Sequence, residues 1–210
     1  MSKLLILGAA GATGQHVVTQ ALQQGHDVTA FVRDPMKLAL NTDRLRVAVG
    51  DTAADPQSVA RAVRGHDVVI STLGVGQSFT SNGLIEHSAR NIVSAMEAAG
   101  VRRIIFTSAF GVSDTMRDVP LVPRLFMRTL LRDVYADKKA GDDLLRRSGL
   151  DWTLVSPTGL SNRAGTGTYR AGERLTLRGF PTVSRSDVAL FILTQIEDRS
   201  YVRKEVLVSS

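Results

Sequence analysis

The chain has 210 residues, 43% of them apolar and 22% charged, with a net charge of +6. These values fit one globular domain (residues 1–210) and exclude a mainly disordered chain. No cysteine is present, which excludes disulfides, thiolate nucleophiles and cysteine metal sites. His16, His26, His66 and His87 have no metal-ligand spacing, so no metal is expected.

The charge is carried by 21 Arg and only 5 Lys. A basic balance suits anionic partners. The arginines are scattered, however, with no nucleic-acid motif, so no nucleic-acid partner is expected. No apolar run is long enough for a bilayer, and no membrane partner is expected. Met1-Ser-Lys3 before Leu4-Leu-Ile-Leu7 imitates a short signal peptide. A buried first strand running into a glycine-rich turn explains the same residues better. The default expectations are a cytoplasmic monomer or homodimer.

Short β-branched runs alternate with longer helical patterns. The predicted strands are 3–7, 27–32, 45–49, 67–71, 102–107, 152–156 and 205–208. The first predicted helix, 13–24, stops at Gly25. The second starts at the Asp55-Pro56 cap and stops at Gly65. Long helices follow over 82–99 and 125–148, and Ser184 with Asp187 reads as a capping box before a helix to Glu197. The alternation predicts an α/β fold: a doubly wound, mostly parallel Rossmann-type sheet with helices on both faces. Residues 157–181, rich in glycine, break the rhythm and are expected to form a small loop lobe over the site.

Gly8-Ala9-Ala10-Gly11-Ala12-Thr13-Gly14 follows the first strand and opens the first helix. Glycines there permit a tight turn and close approach of backbone to a pyrophosphate, and the helix start offers free N–H groups. In such folds the residue about 20 positions on meets the adenosine ribose. That residue is Arg33, 19 past Gly14, with Lys37 as a second cation. A guanidinium suits a 2′-phosphate, so the expected cofactor is NADP(H) rather than NAD(H). Asp34 is expected to point away. Asp51 with Thr52, Thr72-Leu73-Gly74, Thr107-Ser108 and Pro157-Thr158 end successive strands and are further candidates for the cofactor crevice. Trp152 is a candidate fluorescent reporter beside it.

Gly8–Gly14, Val32-Arg33-Asp34, Gly50-Asp51, Ala89–Val93, Thr107–Phe110 and Ser148-Gly-Leu150 together resemble atypical short-chain dehydrogenase/reductases, and most closely the biliverdin-IXβ reductase (flavin reductase) type. The resemblance spans nearly the whole chain. It implies NADPH and a planar electron acceptor such as a flavin or bilin. It also implies that Gly8, Gly11, Thr13, Arg33, Lys37, Asp51, Leu73, Gly74 and Ser108 bind cofactor or flank the nicotinamide. The chain departs from that type on the substrate side: Thr158 replaces a histidine, Gln77 an arginine, and the segment after Phe110 differs strongly.

Tyr135 and Lys139 stand four apart on a predicted helix, the spacing used by short-chain dehydrogenases. That resemblance implies a catalytic Ser108, Tyr135 and Lys139, in which the lysine lowers the tyrosine pKa and holds the nicotinamide ribose. Chance also produces such a pair, and biliverdin reductase-like proteins work without it. Arg124, Arg128 and Arg132 form a basic stripe, read as a solvated face or as a steering surface for an anionic acceptor. The leading function is an NADPH-dependent reductase acting on a planar conjugated acceptor (flavin, bilin or quinone-like, and open to an anionic one). The alternatives are a non-catalytic NADP(H)-binding redox sensor and a sugar-nucleotide epimerase or reductase, the latter disfavoured by chain length.

Overall fold

The computed structural model describes residues 1–38, 42–76, 78, 80–112, 131–177 and 179–210. Strand β1 (Lys3–Leu7) leads to helix α1 (Ala12–Gln23), then to β2 (Asp27–Val32) and β3 (Leu45–Val49). Helix α2 (Pro56–Val63), β4 (Val68–Ser71), α3 (Leu84–Ala99) and β5 (Arg103–Thr107) follow. Next come α4 (Arg132–Arg147) and β6 (Asp151–Pro157). The chain ends with β7 (Gly159–Ser161), β8 (Arg170–Gly172), β9 (Thr182–Ser184), α5 (Arg185–Thr194) and β10 (Lys204–Ser209).

The main sheet runs β3-β2-β1-β4-β5-β6-β10-β8. All its pairs are parallel except β10 with β8. Strand order reverses between β1 and β4, and this switch point opens a crevice at the strand carboxyl ends. Helices on both faces explain the unbroken apolar run Leu4–Leu7, every member of which is fully buried. Leu4 and Ile6 pack toward α1 and α5, whereas Leu5 and Leu7 pack toward the layer of α2 and α3.

Helix starts follow local chemistry. Asp55 accepts the Ser58 N–H at 3.0 Å, and Ser184 Oγ accepts the Asp187 N–H at 2.9 Å. The third helix begins two residues later than its pattern predicts, because Asn82 and Gly83 both have positive φ (51° and 72°). Gly83 provides no side-chain cap, and Asp137 of α4 replaces it by accepting the Ile85 and Glu86 N–H groups at 2.9 and 2.8 Å. Asp137 also accepts the Ser81 hydroxyl, so α4 fixes the loop that leaves β4.

The expected loop lobe contains more structure than its glycines suggest. β8 adds to the edge of the main sheet, and β7 pairs in parallel with β9 just beyond the lobe. Asp187 holds the lobe down by accepting the Thr166 and Gly167 N–H groups at 3.2 and 2.9 Å. Burial alone pushes its carboxyl up; the hydrogen bonds from Ser184, Thr166 and Gly167 outweigh that and leave it below the usual range. The predicted helix over 125–148 is described from Arg132 to Arg147; its first residues, with Arg124 and Arg128, lie outside the described set. Among the described residues no helix is long and apolar enough to cross a membrane.

Candidate cofactor and substrate cleft

The glycine-rich turn is built by close packing. Gly8 has φ +79°, and a Cβ there would stand 3.0 Å from the Thr72 backbone. Thr72 Oγ1 donates to the Leu7 and Gly8 carbonyls at 3.1 and 3.2 Å, locking β4 to the turn. Gly11 caps α1 without a side-chain hydrogen bond, and Gly11, Ala12 and Thr13 line the crevice, so the start of α1 opens on it. Gly14 has a different role from the expected one. A Cβ on it would lie 2.2 Å from the Gly8 carbonyl, so it lets helix and turn touch, and it does not line the crevice.

Two cavities share the edge Gly11, Thr72, Leu73 and Gly74. The first, about 250 Å³, is lined by Gly8, Ala10, Arg33, Asp34, Lys37, Asp51 and Thr52 among others. Among the described residues Arg33 and Lys37 form no ion pair. Asp34 lines this cavity rather than pointing away, and its Oδ1 accepts the Met36 N–H at 3.0 Å. Asp51 Oδ1 is committed to the Ala53 and Ala54 N–H groups at 2.8 and 2.9 Å. The Thr52 hydroxyl is buried and accepts from Ser88 at 2.8 Å, so that side chain anchors α3.

The second cavity, about 470 Å³, is lined by Ala12, Thr13, Thr107, Ser108, Tyr135, Lys138, Pro157, Thr158 and Arg185 together with Val75, Phe110, Leu131, Val134 and Leu160. Thr158 is buried against β10, with its hydroxyl 3.4 Å from the Val208 carbonyl. Gln77 lies outside the described residues. Trp152 lies at the opposite end of its strand: β6 starts beside it and meets the cleft at Pro157, on the order of 16 Å away.

The helix α4 changes the expected triad. Lys139 is exposed and pairs with Asp143 at 2.6 Å; it does not line the cleft, and Lys138 does. The buried arc of α4 runs through Val134, Asp137, Gly141 and Leu145, and Lys139 falls off that arc. Tyr135 lines the cleft, but its hydroxyl donates to the Phe110 carbonyl at 3.2 Å, and burial pushes its pKa up rather than down. The i, i+4 spacing alone could not reveal which face of α4 meets the sheet.

Two residues missed by the sequence reading stand under the cleft: Asp142 and Lys138. Ser108, nearly fully buried, donates to Asp142 Oδ2 at 2.6 Å. Burial pushes the Asp142 carboxyl up to about 7, against the Ser108 hydrogen bond and the Lys138 charge. Burial also lowers the Lys138 pKa, opposed by Asp142 and Asp137. An aspartate on the apolar arc of a helix was the available signal. Among the described residues no three His, Cys, Asp or Glu side chains gather as metal ligands.

A glycine-rich strand-to-helix turn at the switch point of a doubly wound sheet, with strand ends and cations around it, defines a dinucleotide-binding protein. Residues 8–199 match the NAD(P)H-binding family model, and the chain belongs to that family. The chain is 30% identical over 203 residues to the Bacillus subtilis (strain 168) protein named uncharacterized sugar epimerase YhfK, covering 94% of this chain and 89% of that one. Chain length therefore does not separate a reductase from a protein bearing an epimerase name. A short-chain dehydrogenase/reductase from Veillonella parvula, solved in complex with NADP, superposes with a TM-score of 0.81 at 22% identity, over 100% of this chain and 94% of that one. ChuY, an anaerobillin reductase from Escherichia coli O157:H7, shares the fold with a TM-score of 0.81 at 24% identity, over 99% and 96% of the two chains.

Proposed function

We propose that this protein is an NADPH-dependent reductase that acts on a planar conjugated acceptor of the flavin, bilin or quinone kind. The joined pair of cavities carries this reading: a cationic half with Arg33 and Lys37, and a wide, mostly apolar half floored by Ser108. When bound, NADPH would supply the hydride.

The chain's residues hold and orient. The Gly8–Gly11 turn and the α1 start would take the pyrophosphate, and Arg33 with Lys37 the ribose phosphate. Leu73 and Gly74 would flank the nicotinamide, and Gly74 leaves open space where a Cβ would stand. Val75, Phe110, Leu131 and Leu160 provide apolar walls for a flat acceptor, and Lys138 and Arg185 provide positive charge for an acidic substituent. Position and electrostatics are then the protein's contribution to rate. The anaerobillin reductase of the same fold supports a bilin among the acceptors to be tried.

A redox sensor that binds NADP(H) without turnover is the second reading. It is favoured by one observation: Tyr135 is committed to the Phe110 carbonyl and Lys139 to Asp143. Calorimetric titration with NADPH and NADH, followed by NADPH oxidation with FMN, riboflavin, a bilin and small quinones, separates the two. Tight NADPH binding with turnover is expected. Tight binding with no turnover on any acceptor would favour the sensor, and preference for NADH would sink the cofactor assignment.

A further inference from the structure

Ser108 and Lys138 both face the cleft, and Asp142 lies behind them. Asp142 is fully buried, one helical turn beyond Lys138. One carboxyl oxygen meets the Ser108 hydroxyl at 2.6 Å. The other, Oδ1, is buried and has no hydrogen-bond partner among the described residues. An ionised carboxylate leaves that oxygen charged and unsolvated, whereas a carboxylic acid leaves it nearly neutral. Lys138 and Arg146 on the same helix favour ionisation, and Glu205 from β10 opposes it. Arg146 is already paired with Glu205 at 2.6 Å, which leaves Lys138, in no ion pair among the described residues, as the compensating charge. At 2.6 Å either oxygen of the Ser108–Asp142 contact can carry the shared hydrogen.

We infer that Asp142 and Ser108 form a proton-holding dyad under the cleft, in which Asp142 stores the proton that Ser108 delivers to the acceptor. The inference rests on the reductase reading for its reaction, and on Ser108 and Asp142 alone for its chemistry. As hydride adds to the acceptor, the acceptor atom that gains negative charge takes the Ser108 hydroxyl proton. Ser108 Oγ takes the Asp142 proton in the same transfer. The serine is thus restored, and Asp142 is left ionised with Lys138 one turn away. Water returns the proton through Ser108 once product has left. Ser108 is the catalytic residue here and Asp142 a positioning residue that acts through it. Tyr135 cannot take this part while its hydroxyl serves the Phe110 carbonyl.

The test is an infrared titration of the cofactor-free protein, full chain, from about pH 5 to about pH 9, a range above ordinary carboxyl titration. A protonated-carboxyl band that disappears near neutral pH is expected in the wild type and is expected to be missing in Asp142→Asn. Ser108→Ala leaves the acid in place and should shift the band frequency, which keeps the test alive if Asp142→Asn fails to fold. A carboxyl ionised throughout, or a band indifferent to Ser108→Ala, would overturn the dyad. In NADPH oxidation with a flavin acceptor, Asp142→Asn should lower kcat by about tenfold or more and abolish the decline of kcat above neutral pH, with NADPH affinity kept within about twofold. An unchanged pH profile would also overturn it. The infrared measurement needs neither cofactor nor acceptor, so a wild type that reduces nothing would sink the reductase reading while the dyad still stands or falls on its band.

Discussion

Lys138 and Lys139 are sequence neighbours that face different surroundings: Lys138 lines the cleft, and Lys139 pairs with Asp143 in solvent at 2.6 Å. A helical step of about 100° between neighbours is enough to separate them. Lys138→Met should lower kcat/KM on the order of 10²-fold, because it removes a desolvated cation at the reacting end of the cleft. Lys139→Ala removes only a surface pair and should change kcat/KM less than about twofold. Steady-state kinetics on both variants checks this, and the opposite ranking would restore the expected Tyr135–Lys139 pair.

Arg33 lines the first cavity, where the proposed function makes it the residue that selects NADPH. Arg33→Ala should weaken NADPH by about 2 kcal/mol, roughly thirtyfold in Kd, the value of one lost charge-assisted contact. NADH, which has no 2′-phosphate, should change by less than about threefold. Paired calorimetric titrations give both numbers. Tryptophan fluorescence is a poor substitute, because Trp152 sits at the far end of β6 beside Arg146.

Gly14 and Gly74 are both glycines of the crevice region, with opposite reasons for being small. A Cβ at 14 meets the Gly8 carbonyl at 2.2 Å, whereas one at 74 meets nothing within 4 Å. Gly14→Ala should cost about 2 kcal/mol or more of stability and lower Tm on the order of 6 °C. Gly74→Ala should keep Tm within about 2 °C and lose affinity for NADPH, since its methyl enters the space between the two cavities. Thermal melts with and without NADPH separate the two effects.

Asp142 gives stability a pH dependence of known sign. Burial holds its carboxyl at about 7 in the folded protein, while in the unfolded chain it ionises near about 4. Between these values the folded state holds the extra proton. This contribution is therefore fully present below about pH 4 and is lost as pH rises through about 7. Asp142→Asn lacks that loss. Its stability relative to the wild type should improve by about 2 kcal/mol between roughly pH 5 and pH 8. Urea midpoints at the two pH values measure it, and a constant difference would mean that Asp142 is ionised when folded.

Arg103 clamps the end of the sheet opposite the cleft. It is 5% exposed, donates to the Gln195 and Asp151 carbonyls at 2.7 and 2.8 Å, and reaches Thr153 Oγ1 at 2.8 Å. Burial lowers its pKa to about 10, so it stays charged at neutral pH. Arg103→Met removes the charged donor to the Gln195 carbonyl and to its other buried acceptors and should cost about 3 kcal/mol. NADPH affinity, measured below the transition, should not change.

Much of the fold is legible in the residues themselves. β1, β2 and β3 match their apolar runs residue for residue, and Asp55 and Ser184 cap helices as their patterns predict. The turn from Gly8 and the cation at Arg33 are legible for the same reason. In a doubly wound sheet the turn after β1 and the end of β2 both open on the crevice, so local sequence and topology agree. The lobe is a partial exception. Its strands are three residues long, and β8 exists only because β10 offers an edge.

Local sequence was sufficient for the alternation of elements, the parallel sheet and the glycine turn, because each depends on periodicity or on backbone freedom at named positions. The floor of the cleft was set by packing alone. Whether Lys138 or Lys139 faces the cleft depends on how α4 rotates against the sheet. The partnership of Ser108 and Asp142 joins residues 34 apart. The packing of α4 against the sheet also removes water from Asp142, and it is this desolvation, set by no local pattern, that gives an ordinary aspartate an uncommon affinity for its proton.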